Sequence, residues 1–327
     1  TYTDGGLKPL TTYQYAVAAC DISQNCSVQS APLSATTLTF QDISAPSVPT
    51  GLAGTVLSST SVKLTWTAAS DNIGVTKARL PLLSMAMLGM LAGAFIGLGA
   101  LYFTLVISDA GLSFAVARVL GGVCFSLGLL LVVVAGAELF TGNNLLAMAW
   151  ADGKVSTAEV LRNWVVVCVA NFAGAAGLAL LVFLSGHAGM NGGAVAQSYL
   201  KIAIAKSTMP VAELFFRGVL CNVLVCMAVW MVLAGRSLVD KFFAIVLPIS
   251  AFVAAGFEHS IANMYFFPLA LLLKESGIAL PAGVDAITVY AMFRNLVPVI
   301  AGNIVGGSVL VALVYYVIYI RPSKTVK

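Results

Sequence analysis

Gly136-Ala137-Glu138-Leu139-Phe140-Thr141-Gly142-Asn143 and Gly256-Phe257-Glu258-His259-Ser260-Ile261-Ala262-Asn263 lie 120 positions apart and share the pattern G-x-E-x-x-x-x-N. Each octapeptide interrupts a long apolar run, residues 119–151 and 242–273, with a carboxylate. A continuous helix of about 33 residues at about 1.5 Å per residue would measure about 50 Å, whereas the hydrocarbon of a bilayer is about 30 Å thick. Each run must tilt steeply or break, and the Gly beside an acidic residue near its middle predicts a break there. Non-helical backbone at membrane depth is tolerated only where it is buried in protein or lines a polar cavity. Glu138 and Glu258 are therefore expected in loops inside the protein. Two broken segments in corresponding halves of a membrane chain point to a permeation or binding site at mid-bilayer.

The rest of the chain fits a bilayer. Hydrophobic residues make up 60% and charged residues 9% of the sequence, with a mean hydropathy of +0.97, which is the composition of an integral membrane protein. The net charge of +4 is spread without a run of like charges, so nucleic acid is excluded as an expected partner. Residues 80–108, 163–186, 218–235 and 295–320 contain no Asp, Glu, Lys or Arg and are long enough to cross as helices. With the two interrupted runs they predict six spans, of which the second and fifth are broken.

The halves repeat elsewhere. Gly89-x-x-x-Gly93 matches Gly218-x-x-x-Asn222, and Arg162-Asn163 with Asn171 and Gly174 matches Arg294-Asn295 with Asn303 and Gly306. Three spans per copy turn the second copy over. The expected fold is an all-α membrane protein with a 3+3 inverted repeat. Small residues such as Gly89, Gly93, Gly174 and Gly306 permit close helix approach in lipid. Nine Lys and Arg (Lys77, Arg79, Lys154, Arg162, Arg236, Lys241, Arg321, Lys324, Lys327) fall on one side, against five (Arg118, Lys201, Lys206, Lys274, Arg294) on the other. Both termini are expected to be cytoplasmic.

Residues 1–76 read differently: rich in Ser and Thr, they predict strands and turns. Leu7 to Tyr13, followed by the alternation from Tyr15 to Ala19, resembles the tyrosine-corner strand of a fibronectin type III module. Ala45-Pro46-Ser47-Val48-Pro49 with Val62 to Trp66 resembles the opening of a second. The expected division is a partial fibronectin-like fragment at 1–40, the start of another at 41–76, a membrane domain at 77–322 and a cytoplasmic tail at 323–327. Neither fragment holds the strands of a sandwich, and Cys20 and Cys26 bracket a turn where secreted modules carry a disulfide. Two incomplete modules ahead of the membrane domain, with disulfide-type cysteines on a cytoplasmic terminus, lead to the expectation of an artefactual join near Gly74-Val75-Thr76.

His259 is the sole histidine within the predicted spans, and an ionisable side chain there is a functional candidate by default. Thr141, at the position matching Ser260 to within a residue, is placed to hydrogen-bond His259 or a solute, or to cap a helix end. Glu138 and Glu258 are expected to bond backbone amides at the breaks. Asn222 and Asn263 either satisfy loop backbone or line a pore. Cys124, Cys168, Cys221 and Cys226 read as packing residues without metal-ligand spacing. The sequence holds no nucleotide loop, metal cluster or catalytic triad, so no cofactor and no enzymatic activity are expected.

Phe215 to Asn222, Glu258 to Met264, Glu138 to Gly142 and Asn303 to Gly307 together resemble the formate/nitrite transporter family, over about residues 74–322. The resemblance implies an aquaporin-like homopentamer of six-span protomers in a bacterial inner membrane, each with its own pore for formate, nitrite or hydrosulfide. It implies a central pore histidine at His259, aiding proton-coupled or neutral-acid passage, and a vestibule lysine at Lys206 whose charge concentrates anions. It also implies two apolar constrictions built from Phe125, Leu129, Phe140 and Phe252, which helical spacing alone would read as core. The usual amphipathic cytoplasmic helix is replaced before Lys77, and no Asn-Pro-Ala signature is present. Competing readings are a fibronectin-type adhesion protein anchored by the membrane domain, and a neutral-solute pore of aquaporin type.

Overall fold

A computed structural model describes residues 12–18, 26–36, 50–58, 61–67, 73–109, 111–235 and 237–321. Cys20, the segments Leu7–Pro9 and Ala45–Pro49, and the tail at 323–327 lie outside the described residues. The chain divides into two units, Thr1–Ser47 and Val48–Lys327. The first contains β1 (Thr12–Tyr15) and β2 (Leu33–Thr36), paired antiparallel with Thr12 opposite Thr36. The second opens with β3 (Thr50–Ser58) antiparallel to β4 (Ser61–Thr67). Among the described residues the predicted strands thus form two separate two-stranded sheets.

The remainder is helical. A short α1 (Ile73–Arg79) leads into α2 (Leu82–Ile107) behind Pro81, whose fixed φ suits a helix start. Then come α3 (Phe114–Val134), a break, a 3-10 turn (Gly142–Leu145) and α4 (Leu146–Ala151). α5 (Thr157–Leu184) begins at a capping box between Ser156 and Glu159. α6 (Ala194–Thr208) and α7 (Val211–Ala234) follow. α8 (Leu238–Ala255), opened by a second capping box between Ser237 and Asp240, is separated by a break from α9 (Ser260–Lys274). α10 (Val289–Ile304) continues as wider π-helical turns to Ile320.

Among the described residues six helices are long and apolar enough to cross a membrane: α2, α3, α5, α7, α8 and the continuous rod from Val289 to Ile320. Both long runs break, as their length required. The structure differs from the sequence reading in three places. Residues 73–76, read as the end of a strand-and-turn segment, belong to the helix α1, which continues to Arg79. α3 starts at Phe114, so Arg118 lies inside the helix and not in a loop. α6 was not foreseen, because Lys201, Lys206 and Gln197 spoil its hydropathy although Val195, Tyr199, Leu200 and Ala203 on one face are buried.

Helix contacts are close where glycines allow. α2 packs on α5 and α7 on α10. A Cβ at Gly93 or Gly174 would overlap the backbone of Asn171 or Met90, and one at Gly302 or Gly306 that of Phe215 or Val219. These small residues therefore serve packing within the protomer. Large apolar side chains such as Leu161, Val165 and Val169 on α5 stay exposed, as suits a surface solvated by lipid.

Candidate functional site

The two breaks are built alike. At the first, Gly136 takes φ 70° and Ala137 N–H reaches back to Val132 O at 2.9 Å. At the second, Gly256 takes φ 75° and Phe257 N–H reaches Phe252 O at 3.0 Å. This is the glycine-terminated helix end, in which a left-handed residue lets the chain turn and satisfy an orphan carbonyl. The Gly of G-x-E is thus a stop signal.

The Glu and Asn of the motif close a ring of polar side chains. Glu138 accepts from Lys77 Nζ at 2.7 Å and from Asn143 Nδ2 at 2.7 Å. Asn143 Nδ2 also donates to Asn163 Oδ1 at 2.9 Å, and Asn163 Nδ2 donates to Lys77 O at 3.1 Å. At the second break Glu258 accepts from Lys206 Nζ at 2.8 and 2.9 Å and from Asn263 Nδ2 at 2.7 Å. Asn263 Nδ2 donates to Asn295 Oδ1 at 2.7 Å, and Asn295 Nδ2 to Lys206 O at 3.1 Å. The five-residue spacing therefore lets an Asn on the first turn after the break reach back to the carboxylate. Bonds to backbone amides were expected of Glu138 and Glu258; their carboxylates instead hold ammonium and amide side chains. Lys206 is engaged by Glu258 with its side chain only 13% exposed, so its charge is largely compensated.

A second pair of asparagines brackets the broken backbone. Asn171 Nδ2 donates to Gly89 O and Glu138 O at 2.7 and 2.9 Å while its Oδ1 accepts from Phe140 N–H at 2.9 Å. Asn303 Nδ2 donates to Gly218 O and Glu258 O at 2.8 and 3.1 Å while its Oδ1 accepts from Ser260 N–H at 3.0 Å. Each side chain replaces the hydrogen bonds that an unbroken helix would supply, which is how buried backbone polar groups must be satisfied in a membrane. Asn222 Nδ2 lies 2.6 Å from Asn303 O, 2.7 Å from Asn144 Oδ1 and 3.2 Å from Thr141 O. It joins the two breaks as a structural tie. Lys77, Asn143, Asn163, Asn171, Asn295 and Asn303 were not among the expected site residues, although the repeated Asn163/Asn295 and Asn171/Asn303 carried the signal.

His259 opens α9 as its N-cap. Its Nδ1 accepts from Ala262 N–H at 3.2 Å, and its Nε2 lies 3.1 Å from Thr141 Oγ1. Because Nδ1 is occupied as an acceptor, a neutral ring carries its hydrogen on Nε2. His259 is 3% exposed and Thr141 0%, and the imidazole stacks on Phe252 with ring centroids 5.8 Å apart. The hydroxyl of neighbouring Ser260 is buried and has no hydrogen-bond partner among the described residues.

Seven apolar residues enclose a narrow cavity with His259: Ile96, Phe125, Leu129, Leu139, Val225, Ile249 and Phe252. Its volume of about 10 Å³ is room for about one water molecule. Phe125 and Phe252 meet edge to face with centroids 5.7 Å apart. Of the expected constriction residues, Phe125, Leu129 and Phe252 line this cavity. Phe140 is buried but does not. Its neighbour Leu139 does line the cavity.

Comparison with known proteins follows the same lines. A family model described as formate/nitrite transporter matches residues 65–317. The formate channel FocA of Escherichia coli (strain K12) is 38% identical over 264 residues, covering 78% of this chain and 93% of that protein. A probable formate transporter of Methanothermobacter thermautotrophicus is 36% identical over 273 residues, covering 77% and 95%. A solved pentameric formate channel with formate bound superposes with a TM-score of 0.69 at 37% identity, covering 73% of this chain and 97% of that one.

Proposed function

This chain belongs to the formate/nitrite transporter family and is a membrane transport protein of that family, and from that premise we propose that it conducts small monovalent weak-acid anions, formate, nitrite or hydrosulfide, through a bacterial inner membrane. The observation that carries the reading is the pairing of His259 with Thr141 at the wall of an apolar cavity. An anion entering such a cavity loses hydration worth many kcal/mol, whereas the neutral acid loses far less. Proton supply from His259 and pairing with a cationic ring are two ways to lower that barrier. The cationic form needs a proton on Nδ1, where Ala262 N–H already donates and where the N-terminus of α9 adds positive potential. The geometry therefore supports a neutral His259 whose Nε2–H, with the Thr141 hydroxyl, shares a hydrogen bond with the passing solute while the solute's own proton comes from water.

The proposed assembly is a homopentamer with one pore per protomer, as in the pentameric formate channel. The proposed topology is a 3+3 inverted repeat with both termini cytoplasmic. The doubled Lys–Glu–Asn–Asn rings at the two breaks support that repeat. The family match spans the helical region and favours neither the adhesion protein nor the neutral-solute pore. Proteoliposome flux tests the reading. Formate or nitrite should move well ahead of chloride and glycerol, and His259→Ala should alter the pH dependence. Anion uptake indifferent to His259 replacement would rule out the histidine's role.

A further inference from the structure

Beyond His259, which stands where the first break has Leu139, the likeness of the two breaks also fails at arginine. The position 120 residues after Arg118 is Leu238. Glu138 N–H donates to Leu88 O where Glu258 N–H donates to Arg217 O. The second break thus carries two arginines where the first has leucines, and both bind the end of α8. Arg118 Nε donates to Ala254 O at 3.0 Å and its Nη2 to Val253 O at 2.7 Å. Arg217 Nη1 reaches Gly256 O at 3.4 Å. The Arg118 guanidinium also lies over the Phe103 ring, 5.9 Å from its centroid, and sits where a Cβ on Gly256 would meet it at 3.0 Å. An ionisable group within a span is costly and calls for a functional reason.

The reason lies in what the two tethered helices carry. Arg118 is two turns before Phe125 on α3, and Val253 directly follows Phe252 on α8. Phe125 and Phe252 are the edge-to-face pair that narrows the cavity. Elsewhere α3 and α8 pack closely through uncharged contacts: Gly122 lies against the Ser250 backbone, and Ser126 Oγ is 3.4 Å from Val246 O. The guanidinium fork is the one charged link seen between them among the described residues, and it binds two carbonyls at once in a geometry that an ammonium cannot copy.

We propose that Arg118 is the positioning residue for the apolar constriction: it clamps the C-terminal carbonyls of α8 to α3 and thereby holds Phe252 against Phe125. The proposal rests on the channel reading and deepens it, because a fixed ring pair excludes solutes that a loose pair admits. The test is solute selectivity of the full chain in proteoliposomes, with formate, chloride and glycerol uptake measured for the parent, Arg118→Leu and Arg118→Lys. The leucine variant, which carries the residue of position 238, should still pass formate while chloride and glycerol uptake relative to formate rises several-fold. Lysine should recover part of the discrimination. A leucine variant with the parent's ratios overturns the clamp. Should the leucine variant fail to fold, the lysine variant decides, with a raised ratio supporting the clamp and an unchanged one overturning it. A parent that moves no formate instead defeats the channel reading, which is a separate outcome.

Discussion

Thr141 Oγ1 and His259 Nε2 stand 3.1 Å apart although 118 positions separate them in the chain. The contact joins the first break to the second at the cavity wall. It also fixes the chemistry of the ring, since His259 Nδ1 is committed to the Ala262 amide.

Replacing Thr141 by Val keeps the shape and removes the acceptor, which leaves a buried N–H unpaired at a cost of about 1–3 kcal/mol. Thr141→Val should lower the thermal unfolding midpoint in detergent and change the pH profile of formate uptake, while Thr141→Ser should keep both. A serine variant as impaired as the valine variant would show that the hydroxyl is not what matters.

Lys206→Met leaves the Glu258 carboxylate buried without its cation, and breaking one side of a buried pair costs about 3–5 kcal/mol. Removing Lys206 should therefore act on the fold, beside any effect on anion capture. Lys77→Met should cost less, because the Lys77 side chain is 32% exposed against 13% for Lys206. The double variant Lys206→Met/Glu258→Gln should regain part of the loss. Unfolding midpoints of these variants check the order, and equal effects of Lys77→Met and Lys206→Met would contradict it.

Asn171→Leu and Asn303→Leu each strand two buried backbone groups at a break, Glu138 O with Phe140 N–H and Glu258 O with Ser260 N–H, at about 1–3 kcal/mol apiece. Either change should abolish most folded protein in membranes, measured as the yield of monodisperse material after extraction. A normal yield of Asn303→Leu would mean that its bracket does not hold the second break.

Leu139 and Phe140 separate stability from permeation. Phe140→Ala empties a well-packed site outside the cavity wall and should cost about 3–5 kcal/mol with solute ratios little changed. Leu139→Ala opens the cavity and should raise glycerol leak relative to formate uptake. The reverse pattern would assign the constriction to Phe140.

Much of the scaffold was legible in advance because hydrocarbon imposes length and composition on a span. That is why the six spans, the two breaks and the likeness of their motifs could be read from residue order. The helix α6 escaped because a partly polar helix leaves no hydropathy signal. Its Lys206 was recognised by resemblance, but not its bond to Glu258. Lys77 was counted only as a charge, since nothing local ties it to a carboxylate 61 positions away.

By itself the sequence determined that this chain lives in a bilayer, where it must leave helical geometry, and which glycines end the helices, because those are properties of short stretches of chain in a solvent of known thickness. Tertiary structure alone decided that Leu139 and not Phe140 faces the cavity, that Asn171 and Asn303 bracket the breaks, and that Arg118 grips the end of α8. These depend on distances between helices far apart in the chain, and such distances arise only once the helices have packed.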